Sequence, residues 1–203
     1  MSFNTKWTVL TTLGLAGGLV AGVLLGMPVG EIANAMIATA FVTCAVGSVL
    51  GTVQAMGLRK MLRRSGWWIV ATTIGIGIGL AAGVVVVEQI GIFMTGNRLN
   101  VAHLSSLWRA LSFITIGLVC GTFLGVFQWL VLRIQMPQVR HWVPVTAIAL
   151  AVAFSGSSIL VDVTGTRIFS PTGALIFLLG AGASFGFLTS WPLRRATSAS
   201  HTA

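Results

Sequence analysis

The stretches GSVLGTVQAMGLR (Gly47–Arg59), GTFLGVFQWLVLR (Gly121–Arg133) and GASFGFLTSWPLR (Gly182–Arg194) write one pattern three times, Gly-x-x-x-Gly-x-x-(Gln/Thr)-x-x-x-Leu-Arg. On a helix that advances 100° per residue, pattern positions 0, 4, 7 and 11 fall within about 60° of one another. The pattern therefore predicts three helices, each with one stripe: Gly47, Gly51, Gln54, Leu58; then Gly121, Gly125, Gln128, Leu132; then Gly182, Gly186, Thr189, Leu193. The arginine that ends each copy lies off the stripe, where its long stem can reach an interface.

A second pattern alternates with the first. WTVLTTLGLAGGLVAGV from Trp7 aligns without a gap on WIVATTIGIGIGLAAGV from Trp68, and WVPVTAIALAVAFSG from Trp142 keeps the tryptophan and Thr146. Its stripes are Trp7, Thr11, Gly14, Gly18; Trp68, Thr72, Gly75, Gly79; and Trp142, Thr146, Ala149, Ala153. Trp7 to Arg59 and Trp142 to Arg194 both span 52 residues, whereas Trp68 to Arg133 spans 65. The units are thus 7–59, 68–133 and 142–194, the second carrying thirteen extra residues (65 less 52) in a loop at about 95–107. Such periodicity fixes an architecture early. Here it predicts three tandem helix hairpins with pseudo-threefold symmetry about the membrane normal.

The chain has 203 residues, 56% hydrophobic and 7% charged. Soluble domains carry about 25% charged residues, so the composition excludes a soluble fold. Apolar runs at 7–27, 33–57, 67–91, 108–132, 142–162 and 172–191 each reach or exceed the ~20 residues that span a bilayer as helix. Lipid offers no partner for free backbone groups, so helices are the natural spanning form. The expectation is an all-α integral membrane protein, one transmembrane domain over 1–203 with a tail at 195–203. The first run is longer than the 7–15 apolar residues of a signal peptide, so it reads as a retained span.

The net charge of +9 does not point to nucleic acid, because of where it falls. In the six-span reading, Lys6, Arg59, Lys60, Arg63, Arg64, Arg133, Arg140, Arg194 and Arg195 share one side, against Arg98, Arg109 and Arg167 on the other. That 9-to-3 bias places both termini in the cytoplasm, in a membrane of the bacterial inner type. Trp7, Trp67, Trp68, Trp129, Trp142 and Trp191 fall at the same ends and read as an aromatic belt, with Trp108 opposite.

By depth, Gln54, Gln128, Thr189, Thr11, Thr72 and Thr146 should form one polar layer about 6–8 Å below that interface. Interhelical hydrogen bonding is its simplest role; a pore constriction or ligand site is the sharper one. The three acids, Glu31, Glu88 and Asp162, fall near the outer ends. They suit a cation-attracting ring, or pairing with Arg98, Arg109 and Arg167. Cys44 and Cys120 occupy unrelated positions and read as packing residues.

Enzyme motifs fail their context tests. Gly182-Ala183-Ser184-Phe185-Gly186 matches a nucleophile elbow in letters, but that motif needs a strand–turn–helix setting. Gly75-x-Gly77-x-Gly79 lacks the preceding strand of a dinucleotide site. Ser155-Gly156-Ser157-Ser158 has no base at membrane depth. His103 and His141 are the only histidines placed to ligate a haem or chlorin. The outline is similar to that of mitochondrial carriers and of small six-helix substrate-binding subunits of vitamin transporters, but the carriers' proline–acid–basic motif has no counterpart here. The expected function is a non-enzymatic accessory or structural subunit of a larger membrane complex. It would contact lipid, pigment or quinone and associate with membrane partners or with itself. The alternative is a small-solute channel or transporter built on the Gln/Thr layer.

Overall fold

The computed structural model describes residues 2–32, 35–59, 62, 65–95, 105–136, 139, 141–166 and 170–199. They form six α-helices: α1 (Phe3–Ile32), α2 (Ala35–Leu58), α3 (Gly66–Thr95), α4 (Ser106–Gln135), α5 (Trp142–Val163) and α6 (Pro171–Ala199). All six are long and apolar enough to cross a membrane. Each helix packs against its neighbours in the chain, and α6 packs against α1, so the six close into a ring. Most of the thirteen-residue insertion, with Arg98 and His103, lies outside the described residues, as do Lys60, Arg63, Arg64, Arg140 and Arg167.

Glycines fix how closely the helices approach, and two sets serve two kinds of seam. Glycines of the odd helices face the next helix of the same pair. A methyl group built on Gly14, Gly18 or Gly22 would stand 3.0, 2.7 and 3.1 Å from the Cα of Leu50, Val46 and Val42. On Gly75, Gly79 or Gly83 it would stand 2.7, 2.8 and 3.1 Å from the Cα of Leu124, Cys120 and Ile116. Glycines of the even helices face the following pair. Gly47 and Gly51 meet Thr73 and Ile69 on α3; Gly121 and Gly125 meet Ala147 and Val143 on α5; Gly182 and Gly186 meet Thr12 and Thr8 on α1. Lipid exerts no hydrophobic pressure between helices, so backbone contact through these small residues is what holds the ring.

The interior is layered with the pitch of the helix. Each helix sends three buried side chains inward at four-residue steps, about 6 Å apart. They are Trp7, Thr11, Leu15 on α1; Leu58, Gln54, Leu50 on α2; Trp68, Thr72, Ile76 on α3; Leu132, Gln128, Leu124 on α4; Trp142, Thr146, Leu150 on α5; and Leu193, Thr189, Phe185 on α6. The first member of each set belongs to one apolar cluster and the third to another. The polar members lie between them. Leu62 and Val139, in the connections, complete the first cluster.

The tryptophans correct one expectation. Trp7, Trp68 and Trp142 are 1%, 0% and 1% exposed and form the core of the bundle end, where an interfacial belt was expected. Trp67 and Trp191, 60% and 55% exposed, do lie on the surface. The physical reason is packing: one bulky ring per helix pair fills the space that the narrow glycine seams leave on the axis.

Gly121→Ala is expected to destabilise the bundle by about 1–3 kcal/mol, because its new carbon would be 2.6 Å from the Cα of Ala147. Gly77→Ala is the control, with nothing within 4 Å of the added carbon; it should be neutral or slightly stabilising. Thermal unfolding in detergent separates the two.

Candidate functional site

The polar members of the middle layer bond to one another across the helix seams. Indole N–H is a donor only, so a buried tryptophan needs an acceptor. Trp68 Nε1 donates to Gln54 Oε1 at 3.1 Å, joining α3 to α2, and Gln54 Nε2 donates to Thr11 Oγ1 at 3.3 Å, joining α2 to α1. The motif recurs with Trp142 Nε1 on Gln128 Oε1 at 3.1 Å and Gln128 Nε2 on Thr72 Oγ1 at 3.0 Å. Around the ring, Trp7 Nε1 donates to Thr189 Oγ1 at 3.0 Å and ties α1 to α6.

The α5–α6 pair breaks the pattern. Thr189 is too short to act as a two-ended bridge, and its hydroxyl donates to Phe185 O of its own helix at 2.7 Å. Thr146 likewise donates to Trp142 O at 2.8 Å. The odd-helix glycines are also replaced there, with Ala149, Ala153 and Ser157 standing at the positions of Gly14, Gly18 and Gly22. Ser157 Oγ is buried without a hydrogen-bond partner, 2.9 Å from a methyl group built on Gly180. The half of this region away from the buried tryptophans instead packs Phe113, Phe154 and Phe177, with ring centroids 5.1 and 5.5 Å apart.

The belt is neutral. It contains no titratable side chain, and its donors and acceptors bond to one another or to their own backbone. Its chemical capacity is to orient helices. The acids sit far from it: Asp162 pairs with Arg109 across α5 and α4 at 2.5 Å, half-buried. Glu88 is half-buried on α3, and Glu31 lies near the end of α1. The structure does not bring the three into a described ring. His141 is exposed at the start of α5, and His103 falls outside the described residues. Among the described residues no group of three or more His, Cys, Asp or Glu is placed to hold a metal. Cys44 is exposed and Cys120 buried.

Ser184 lies within continuous α6, not in a strand–turn–helix. Ser155 and Ser158 donate to Ala151 O and Ser155 O, the usual back-bonding of helical serine.

Sequence reasoning missed the tryptophans as members of the belt. The signal was present: only Trp7, Trp68 and Trp142 recur at the first position of a unit, whereas Trp67, Trp129 and Trp191 do not. Compared with protein-family profiles, curated proteins and solved structures, the chain matches none.

Two outcomes test the belt. In a double-mutant cycle, Trp142→Phe and Gln128→Leu should each destabilise, and the pair should cost less than the sum, by about 0.6 kcal/mol and up to about 1.7. Thr189→Gln should raise the melting temperature, because the longer side chain can accept from Trp7 and donate to Thr146.

Proposed function

We propose that this chain is a non-enzymatic polytopic membrane protein that serves as a structural or accessory subunit of a larger membrane complex. The observation that carries the reading is the internally bonded belt, closed on one side by Trp7, Trp68, Trp142, Leu58, Leu132 and Leu193 and on the other by the second apolar cluster. A polar layer whose groups satisfy one another serves rigidity and leaves little for a substrate. The large apolar side chains turned outward, among them Leu13, Leu24, Phe93, Ile148 and Phe187, suit lipid and the helices of partners.

In this reading the units 7–59, 68–133 and 142–194 are tandem copies of one hairpin, related by a pseudo-threefold axis along the membrane normal. Its support is the matched register of the contacts. Gly47 meets Thr73 and Gly121 meets Ala147, each 26 residues on, and Gly182 meets Thr12, which holds the same place after Trp7 that Thr73 holds after Trp68. The tryptophan end faces the cytoplasm of a bacterial inner membrane, on the strength of its nine Lys and Arg.

Gentle extraction from native membranes, followed by mass spectrometry, should recover membrane partners at fixed ratio; a monodisperse, partner-free protein would contradict the subunit role. Conduction along the axis would require the tryptophan plug to part. Liposomes containing the purified protein should therefore show no solute flux above empty liposomes. Flux that falls when Gln54 and Gln128 become Leu would overturn the proposal in favour of a channel.

A further inference from the structure

The charge of the molecule is sorted along its axis with unusual sharpness. Lys6, Arg59 and Arg133 are exposed. Each is the immediate chain neighbour of a buried plug residue, Trp7, Leu58 and Leu132, which are 1%, 0% and 0% exposed. Anchors of that kind fix the three cations at one depth, just outside the apolar plug. Arg133 is further positioned over the Trp129 ring, 5.2 Å from its centroid. Exposed Trp67 and Trp191 stand at the same end, where amphipathic rings favour the headgroup level.

Among the described residues no Asp or Glu stands at their end. Glu88 and Asp162 lie 20 residues along α3 and α5 from Trp68 and Trp142, and Glu31 lies 24 along α1 from Trp7, so at least about 30 Å of helix separates the acids from these three cations. The half-buried arginine of the opposite end, Arg109, is neutralised by Asp162. Exposed cations with no acid beside them among the described residues, flanked by exposed Trp67 and Trp191, complement a phosphate-bearing membrane surface.

We propose that the tryptophan end is a binding surface for anionic phospholipid headgroups, with Lys6, Arg59 and Arg133 as phosphate-contacting residues. The proposal rests on membrane insertion alone and is independent of the subunit role. A basic side chain near an anionic membrane surface contributes about fivefold in affinity.

The test uses delipidated full-length protein offered phosphatidylglycerol and phosphatidylcholine with identical acyl chains, with bound lipid counted by native mass spectrometry. Phosphatidylglycerol should be retained at least tenfold over phosphatidylcholine. The preference should shrink with added salt and should collapse in the Lys6→Gln, Arg59→Gln, Arg133→Gln triple variant. All three side chains are exposed, so the variant should keep the wild-type melting temperature in neutral detergent. If it does not, the salt dependence of the wild type decides alone. Equal retention of the two lipids, or an unchanged preference in a folded triple variant, overturns the proposal. So does inorganic phosphate that competes at the same concentration as the lipid, which would mark a free-phosphate site.

Discussion

Six apolar helices in hydrocarbon gain nothing from hiding apolar surface from one another, so contact between their backbones has to carry the assembly. In this protein the contact is glycine against backbone. A methyl group at Gly47, Gly121 or Gly182 would come within 2.7 Å of a neighbouring Cα, a distance that no side-chain carbon tolerates. Every seam but α5–α6 depends on it, and so does the narrow axis that the inward side chains fill.

Close approach also explains the polar belt. Buried amides and hydroxyls in a membrane core need partners, and those partners must lie within about 3 Å. Because the seams are tight, Gln54 and Gln128 reach helices on both sides, with Oε1 toward one tryptophan and Nε2 toward one threonine. The third position shows the same logic by exception. There alanine and serine stand where the other pairs have glycine, threonine stands where they have glutamine, and the bonds turn back onto the helices that carry them. Small-residue contact and hydrogen bonding have changed together, so the α5–α6 pair relies on apolar packing, including Phe154 against Phe177.

Much of the fold was legible in the sequence because helical spans and small-residue stripes are local patterns. The six apolar runs appear as six helices, most of them extended at one or both ends, as α1 is to Ile32. The residues named for a polar layer are all buried, and Gln54 bonds to Thr11 and Gln128 to Thr72 across helix seams. What the chain did not disclose was direction. A stripe of Gly14 and Gly18 looks the same whether it faces a pair-mate or the next pair, and only the packing of the folded chain distinguishes them. Tryptophan was misread for a related reason. At the end of an apolar run the same residue suits the headgroup region or the core, and Trp67 and Trp68, adjacent in sequence, take opposite fates. The pairing of Asp162 with Arg109 was one option among three for that acid, because the choice depends on which helix ends the ring sets side by side.

Closure of the ring between α1 and α6 is the claim on which layers, belt and plug all rest, and it joins residues about 180 positions apart. A reducible crosslink reports it directly. A carbon on Gly186 would stand 2.9 Å from the Cα of Thr8, too close for a cysteine at either position, but the exposed residues next to them in sequence, Val9 and Phe187, then have Cα atoms within about 12 Å of each other. In a background of Cys44→Ser and Cys120→Ala, a bifunctional methanethiosulfonate of that span should join cysteines at Val9 and Phe187 within one chain in native membranes. A protein then cut between α3 and α4 should stay in one piece until it is reduced. Two fragments that separate without reductant, or a crosslink that forms only between chains, would contradict the closed ring.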